Sequence, residues 1–189
     1  MSRFTTAAVL SIPFFVLIGD LFLGNLGANP IEEITHRTGL CALLSLLATL
    51  AISPLRRIAR LRRVARYRRA LGLSTFFYAS LHALTYFVLD LGMDPAGIVE
   101  DLTERRFAIA GILAYLLLIP LAVTSNAAAV RGLGGRRWRG LHRLVYLVAV
   151  LVPLHYLWLS KGEQLPPYLY ASAFVVLLGL RVIQGLRLS

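Results

Sequence analysis

The chain has 189 residues, of which 58% are hydrophobic, and its mean hydropathy is +0.71. This composition excludes an ordinary soluble domain and is typical of a polytopic membrane protein. The net charge is +11, but the basic residues lie between apolar runs, which argues against nucleic acid as a partner and for a lipid bilayer.

Six apolar runs follow one another along the sequence, each close to the ~20 residues that a helix needs to cross a bilayer. We therefore predict an all-α fold, a polytopic membrane bundle of six transmembrane helices in one domain over residues 1–189. Pro54 is expected to end the second run, because proline lacks the N–H that continues a helix. The first run is expected to be retained, since no small-residue cleavage motif follows it. The predicted spans are about 7–24, 38–53, 71–91, 107–125, 141–159 and 168–186.

The distribution of arginine predicts the orientation of these spans, because basic residues collect on the cytoplasmic side. Eight arginines lie between the second and third spans, and five more follow the fourth span. With Arg3, Arg181 and Arg187, sixteen of the 20 basic residues fall on one side. Six spans with both termini in the cytoplasm satisfy this distribution.

Three of the four histidines, His82, His142 and His155, lie within predicted spans. Ionisable groups are rare there, and neutral imidazole is a standard axial ligand of haem iron. The third and fifth spans both run outward, and His82 matches His155 in depth better than it matches His142. We predict that His82 and His155 fill both axial positions of one outer haem. That arrangement is typical of electron transfer, because it leaves no position open for oxygen.

A second, inner haem is predicted between His142 and Arg68. His142 lies thirteen residues before His155, which is ~20 Å along a helix. Arg68 lies fourteen residues before His82, within ~40° of the same helix face. A protonated guanidinium is a poor iron ligand, so Arg68 would hold a propionate or leave the haem five-coordinate or weakly ligated. Arg69 is the neighbouring candidate.

Some of these residues also have plainer interpretations. Each histidine can be a packed or hydrogen-bonded core residue, and Arg68 can be one of eight charges on a face that contacts anionic lipid. His142 and His155 should be ~220° apart on an ideal helix, unless Pro153 changes the phase. His36, expected at the outer start of the second span, is either an interfacial histidine or a partner of a quinone or the outer haem.

Several motifs, in order, carry a resemblance to a known family. The chain resembles the MsrQ family, formerly called YedZ, over about residues 24–180. Those proteins are haem-binding membrane subunits of periplasmic methionine sulfoxide reductase systems, within the ferric reductase-like transmembrane group. The matching motifs are NPIEEITHRTG (29–39), SPLRR (53–57), RRALGL (68–73), FFYASLHALTY (76–86), PLAVTS (120–125), RRWRGLHRLVYL (136–147) and PLHYLW (153–158).

The resemblance implies an electron conduit in the bacterial inner membrane. Electrons would enter from the quinone pool or a flavin reductase, cross by haem b, and leave to MsrP, a periplasmic molybdopterin enzyme that reduces methionine sulfoxide. FMN is also associated with the family. In relatives, histidine pairs on the third and fifth spans hold two haems, and the first histidine of the third-span pair falls on Arg68 here. The chain would then be an electron-transfer subunit rather than the catalytic subunit.

Two other functions remain open from the sequence. The first is the membrane haem core of a metalloreductase or a superoxide-producing oxidase that works with a separate flavoprotein. The second is a transporter or assembly factor whose intramembrane histidines relay protons or bind a metal ion. The sequence contains no GxGxxG unit, so we do not expect the chain to oxidise NADPH by itself.

Overall fold

The computed structural model describes residues 3–58, 61–160 and 165–186. Within these ranges the regular secondary structure is entirely helical, which confirms the all-α prediction. A 3-10 segment precedes α3 (Arg62–Tyr67), a π-helical segment follows it (Thr85–Asp90), and a second 3-10 segment precedes α7 (His142–Leu144). The helices are α1 (Arg3–Leu23), α2 (Pro30–Ile58), α3 (Arg68–Leu84), α4 (Pro95–Glu104), α5 (Arg106–Val123), α6 (Ala127–Leu141), α7 (Val145–Leu159) and α8 (Leu165–Leu186).

Six helical stretches of the described chain are long and apolar enough to cross a membrane. This number confirms the prediction of a six-helix, multi-pass membrane bundle, in which each backbone satisfies its own hydrogen bonds. α4, a helix of 10 residues between the third and fourth spans, was not predicted. Its first turn is capped by Asp94, whose side chain accepts from the backbone N–H groups of Ala96 and Gly97. The six stretches are Thr5–Leu23, Pro30–Arg56, Arg63–Asp90, Arg106–Val123, Ala127–Leu159 and Leu165–Ile183.

The prediction that Pro54 ends the second span is wrong, because α2 passes through Pro54 and ends at Ile58. Proline cannot donate to the carbonyl four residues earlier, which here belongs to Leu50. Arg181 on α8 donates from Nη2 to that carbonyl at 2.7 Å, across 131 residues of sequence. A distant side chain thus replaces the hydrogen bond that Pro54 removes.

Two helix pairs form the centre of the bundle, α2 with α3 and α5 with α7. Contacts of α3 with α5, and of α8 with α2 and α7, join the two pairs, while α1 lies against α2 and α3. A core of large apolar side chains fills the space between them. Its fully or nearly buried members include Leu43, Leu46, Leu50, Leu118, Leu121, Val148, Ala149 and Phe174.

Charged residues at the predicted outer end pair with one another. Arg37 contacts Asp20 at 2.5 Å and Glu33 at 2.6 Å, which ties the end of α1 to α2. Asp101, which is buried, contacts Arg105 at 3.1 Å and accepts a hydrogen bond from the Tyr86 hydroxyl. In the described ranges every ion pair lies at this end of the bundle. Among the basic residues used to predict the orientation, Arg60, Lys161 and Arg187 lie outside the described residues.

Candidate functional site

α3 and α7 bring His82 and His155 together at the predicted outer depth. Their ring centroids are 6.0 Å apart and their planes cross at 87°. The ring of Phe107, from the start of α5, meets the His155 ring edge-on with centroids 6.1 Å apart. We refer to His82 and His155 as the outer site.

Both rings of the outer site are anchored in the same way. His82 Nδ1 lies 2.8 Å from the Thr35 carbonyl oxygen, and His155 Nδ1 lies 2.8 Å from the Phe107 carbonyl oxygen. A carbonyl oxygen only accepts, so each Nδ1 carries the proton and each Nε2 keeps its lone pair. An imidazole that donates from one nitrogen to a carbonyl and offers the other nitrogen is the usual form of a metal ligand.

The spacing of the two rings fits two axial ligands on one iron. A bond from imidazole nitrogen to a metal is ~2.0–2.1 Å, and the ring centre lies ~1.1 Å beyond the nitrogen, so opposed ligands have centroids ~6.3 Å apart. The observed separation is 6.0 Å. In the described part of the chain, no group of three or more His, Cys, Asp or Glu residues could hold a bare metal ion. Two imidazoles alone suit an iron whose other ligands come from a porphyrin.

At the predicted cytoplasmic end of the bundle, His142 and Arg68 lie in a region that we call the inner site. The Thr124 hydroxyl donates to the Pro120 carbonyl at 2.6 Å. Its oxygen is therefore left to accept from His142 Nε2, which lies 3.0 Å away. Trp138 stacks on the His142 ring, with centroids 3.9 Å apart and planes at 27°. The indole of Trp138 also donates to the Thr124 carbonyl at 2.8 Å, so Trp138 fixes the ring from one side.

Arg68 is the first residue of α3 and is exposed. Its positive charge acts on His142, and the charges of Arg181 and Arg56 act on Arg68 in turn. Within the described ranges Arg68 forms no hydrogen bond or ion pair. The structure therefore brings Arg68 and His142 into one region but does not join them directly.

Comparison with known proteins shows the family to which the chain belongs. The model of the ferric reductase-like transmembrane component matches residues 29–153, a range that contains His82, His142 and Arg68 and ends two residues before His155. The chain belongs to this family.

The chain is also similar to three curated proteins named protein-methionine-sulfoxide reductase heme-binding subunit MsrQ. The protein from Ralstonia nicotianae is 47% identical over 90% of this chain and 80% of its own length. The protein from Azospira oryzae is 47% identical over 89% of this chain and 73% of its own length. The protein from Rhodospirillum rubrum is 44% identical over 87% and 79%. Within the ferric reductase-like family, the chain is therefore an MsrQ-type protein, a multi-pass membrane protein of the electron-transfer class.

On an ideal helix His142 and His155 would lie on different faces, ~220° apart. The structure shows a 3-10 segment over His142–Leu144, while α7 is continuous through Pro153. Because a 3-10 helix advances ~120° per residue instead of ~100°, these three residues change the separation from ~220° to ~280°. The two histidines thus lie ~80° apart around the axis. The change of phase lies at His142 and not at Pro153, the position that the sequence offered as a possible cause.

The fourth histidine, His36, lies in the second turn of α2, close to the end that was predicted to be the outer one. It is exposed, and its ring meets that of Tyr156 with centroids 6.5 Å apart. The neighbouring Thr35 supplies the carbonyl for His82. Sequence reasoning missed this anchor and the one from Phe107, because any residue type can supply a backbone carbonyl. Trp138 was expected in an interfacial aromatic belt or against a haem. It stacks on His142, and here the residue type itself gave some signal in the sequence.

Proposed function

We propose that the chain is the haem-binding transmembrane subunit of a protein-methionine-sulfoxide reductase, one domain that passes electrons across the membrane to a catalytic partner. The observation that carries this proposal is the outer site. Its two imidazoles have ring centroids 6.0 Å apart, and both Nδ1 atoms are held by carbonyl groups. The names of the MsrQ relatives support the same cofactor and the same enzyme system.

His82 and His155 would hold the outer haem b, and the bound haem would supply an iron that gains and loses one electron. The chain's own contribution would be to supply both imidazole ligands, so that oxygen would find no coordination site on the iron. Hydrogen bonds from Nδ1 to carbonyl groups hold each ring and raise the basicity of Nε2. The two ligands come from different helices, so the packing of α3 against α5, and of α5 against α7, sets their separation.

His142 and Arg68 would hold a second, inner haem b. His142 offers a nitrogen, and Arg68 offers a cation for a propionate. The charge distribution supports this role, because all nine acidic residues of the sequence lie on the other side of the predicted topology. An anionic group at the inner end therefore meets only cations among the charged side chains.

The proposed direction of electron flow is from the inner haem to the outer haem. Electrons from the quinone pool or a flavin reductase would reach the inner haem first, pass to the outer haem, and leave to MsrP in the periplasm. Both termini would be in the cytoplasm and the protein in the inner membrane of a bacterial cell, as the arginine distribution suggests. FMN, which the family resemblance implies, would be an additional cofactor.

Haem stoichiometry with redox titration of the purified chain tests this proposal. Two b-type haems per chain with separate midpoint potentials are expected. One haem per chain would contradict the proposal of an inner haem but not that of the outer haem. A reduced-minus-oxidised spectrum without b-type bands would contradict the whole proposal.

The acceptor is tested by mixing the reduced chain with possible oxidants. We expect rapid reoxidation by MsrP with methionine sulfoxide, and slow reoxidation by ferric chelates or dioxygen. The opposite order would favour a metalloreductase or an oxidase core.

A further inference from the structure

The α2–α3 and α5–α7 helix pairs hold their histidines by the same local pattern. In the first pair, the Thr35 carbonyl accepts from His82 and Gly39 follows four residues after Thr35. In the second pair, the Phe107 carbonyl accepts from His155, and Gly111 follows four residues after Phe107. In both pairs, a glycine lies one helical turn beyond the carbonyl that anchors the ring.

These two glycines lie directly against the imidazole rings. A Cβ atom on Gly111 would lie 2.8 Å from His155 Nδ1 and 2.9 Å from its Cε1. A Cβ atom on Gly39 would lie 3.0 Å from His82 Nδ1 and 3.1 Å from its Cε1. The first pair of distances is shorter than carbon atoms tolerate and the second pair is barely tolerated, so the rings occupy the space that side chains would fill.

Carbonyl and glycine together restrict each ring more than either would alone. The hydrogen bond fixes the position of Nδ1 but leaves the ring free to tilt about that atom. Contact of the Nδ1–Cε1 edge with the bare backbone of the glycine removes this freedom. The ring planes of His82 and His155 are held 87° apart under these constraints.

We propose that Gly39 and Gly111 are positioning residues that set the planes of the two axial imidazoles. The proposal rests on the proposed function, because the planes matter only if both rings bind one iron. Perpendicular axial imidazoles leave two iron d orbitals nearly equal in energy, and parallel ones split them. The ferric low-spin haem then gives an electron paramagnetic resonance (EPR) signal with a very large maximum g value in the perpendicular case and a rhombic signal in the parallel case.

The test compares Gly111→Ala and Gly39→Ala with two matched controls, Gly179→Ala and Gly72→Ala. A Cβ atom at either control position meets nothing within 4 Å. The full chain is purified with its haem, and the EPR spectrum, the haem midpoint potential and the haem retained after gel filtration are measured. Circular dichroism reports helix content, which alanine in a helix should preserve.

We expect the parent chain to give the large-g signal, and Gly111→Ala to lose it with haem retention about tenfold weaker, the size of one lost hydrogen bond. Gly39→Ala should move the signal toward the rhombic form, with retention about threefold weaker. Both controls should match the parent chain.

An unchanged EPR spectrum and potential in both variants, or equal shifts in the controls, would overturn the proposal. If Gly111→Ala does not fold, Gly39→Ala decides: an unchanged signal there contradicts the proposal. Failure of the proposed function is distinguished from failure of this inference, because the parent chain would then lack the haem signal itself.

Discussion

The outer and inner sites hold their histidines through opposite nitrogens. His82 and His155 donate from Nδ1 to backbone carbonyls, which leaves both Nε2 atoms free. His142 donates from Nε2 to the Thr124 hydroxyl, beneath the Trp138 ring. Backbone anchors depend on the helix path alone, whereas the inner anchors are side chains that substitution can change. The outer site is thus built into the fold, and the inner site is more easily altered.

The two ends differ in charge as well as in anchoring. At the outer end, Arg37 and Arg105 are neutralised by acidic side chains. At the inner end, Arg68 lies beside two further arginines, and the sequence has no acid on that side of the predicted topology. The outer site is therefore suited to neutral imidazole ligands, while the inner one is suited to an anionic group such as a propionate.

The largest effect is expected from His82→Ala and His155→Ala. Each should remove the outer haem completely, because one imidazole cannot replace the pair. Haem content should fall from two per chain to one, with loss of the bis-imidazole low-spin signal. His36→Ala is the control, since His36 is exposed and outside the pair. Retention of both haems in either variant would refute the outer pairing.

The next effect concerns Arg181, which we expect to serve the fold and not a haem. Arg181→Leu should leave the Leu50 carbonyl unsatisfied and lower the free energy of unfolding by about 1–3 kcal/mol. In a Pro54→Ala background the restored N–H can bond that carbonyl, so the same change should cost less. Thermal unfolding in detergent measures both, with the haem potentials as a control. An equal loss in the two backgrounds would contradict this role.

A smaller effect should follow Thr124→Val. Nδ1 of a histidine is crowded by its own Cβ, so we expect His142 to bind iron through Nε2 and to give up its hydrogen bond to Thr124. Removing this competing bond, worth ~1 kcal/mol, should tighten retention of the inner haem about fivefold. Ser125→Ala is the matched control, because its hydroxyl donates to the Leu121 carbonyl. Weaker retention in Thr124→Val would indicate that Thr124 supports the ligand.

The smallest effect is expected from Arg68→Ala. Loss of a nearby cation makes the ferric state relatively more favourable, so the potential of the inner haem should fall by roughly 10–40 mV, as for an exposed charge pair. The outer haem should not change. Arg68→Lys should keep most of the parent potential, and Arg69→Ala should have little effect. Equal shifts in Arg68→Ala and Arg69→Ala would show a general field effect instead of a specific contact.

The sequence predicts the outer site better than the inner site. Helical rise and the arginine distribution place His82 and His155 at one depth, because both depend only on counting residues along spans. Their anchors at Thr35 and Phe107 could not be found, since the carbonyl group is common to all residues. The sequence carries only a weak signal for Gly39 and Gly111. A glycine within a helical run usually has a packing reason, but the sequence does not name the residue that packs there.

In the fold too, the features that depend on local sequence were predicted, and those that depend on distant contacts were not. Hydropathy predicts all six spans, because each run must be apolar over ~20 residues. It misses α4, which is only 10 residues long, and it places the end of α2 at Pro54. α2 runs past Pro54, and the hydrogen bond that Pro54 removes is replaced by Arg181 from α8. The phase of His142 depends on a 3-10 turn. Neither has a signature in the neighbouring sequence.

The bond between Arg181 and Leu50 also bears on the order in which the bundle is completed. α2 enters the membrane early in synthesis, and the Leu50 carbonyl then has no partner from its own helix because of Pro54. α8 is the last described helix to be made, and it delivers the guanidinium that closes this gap. Until α8 inserts, the Leu50 carbonyl in the second span lacks this donor. The final packing of the second span therefore depends on α8, a helix that is synthesised much later.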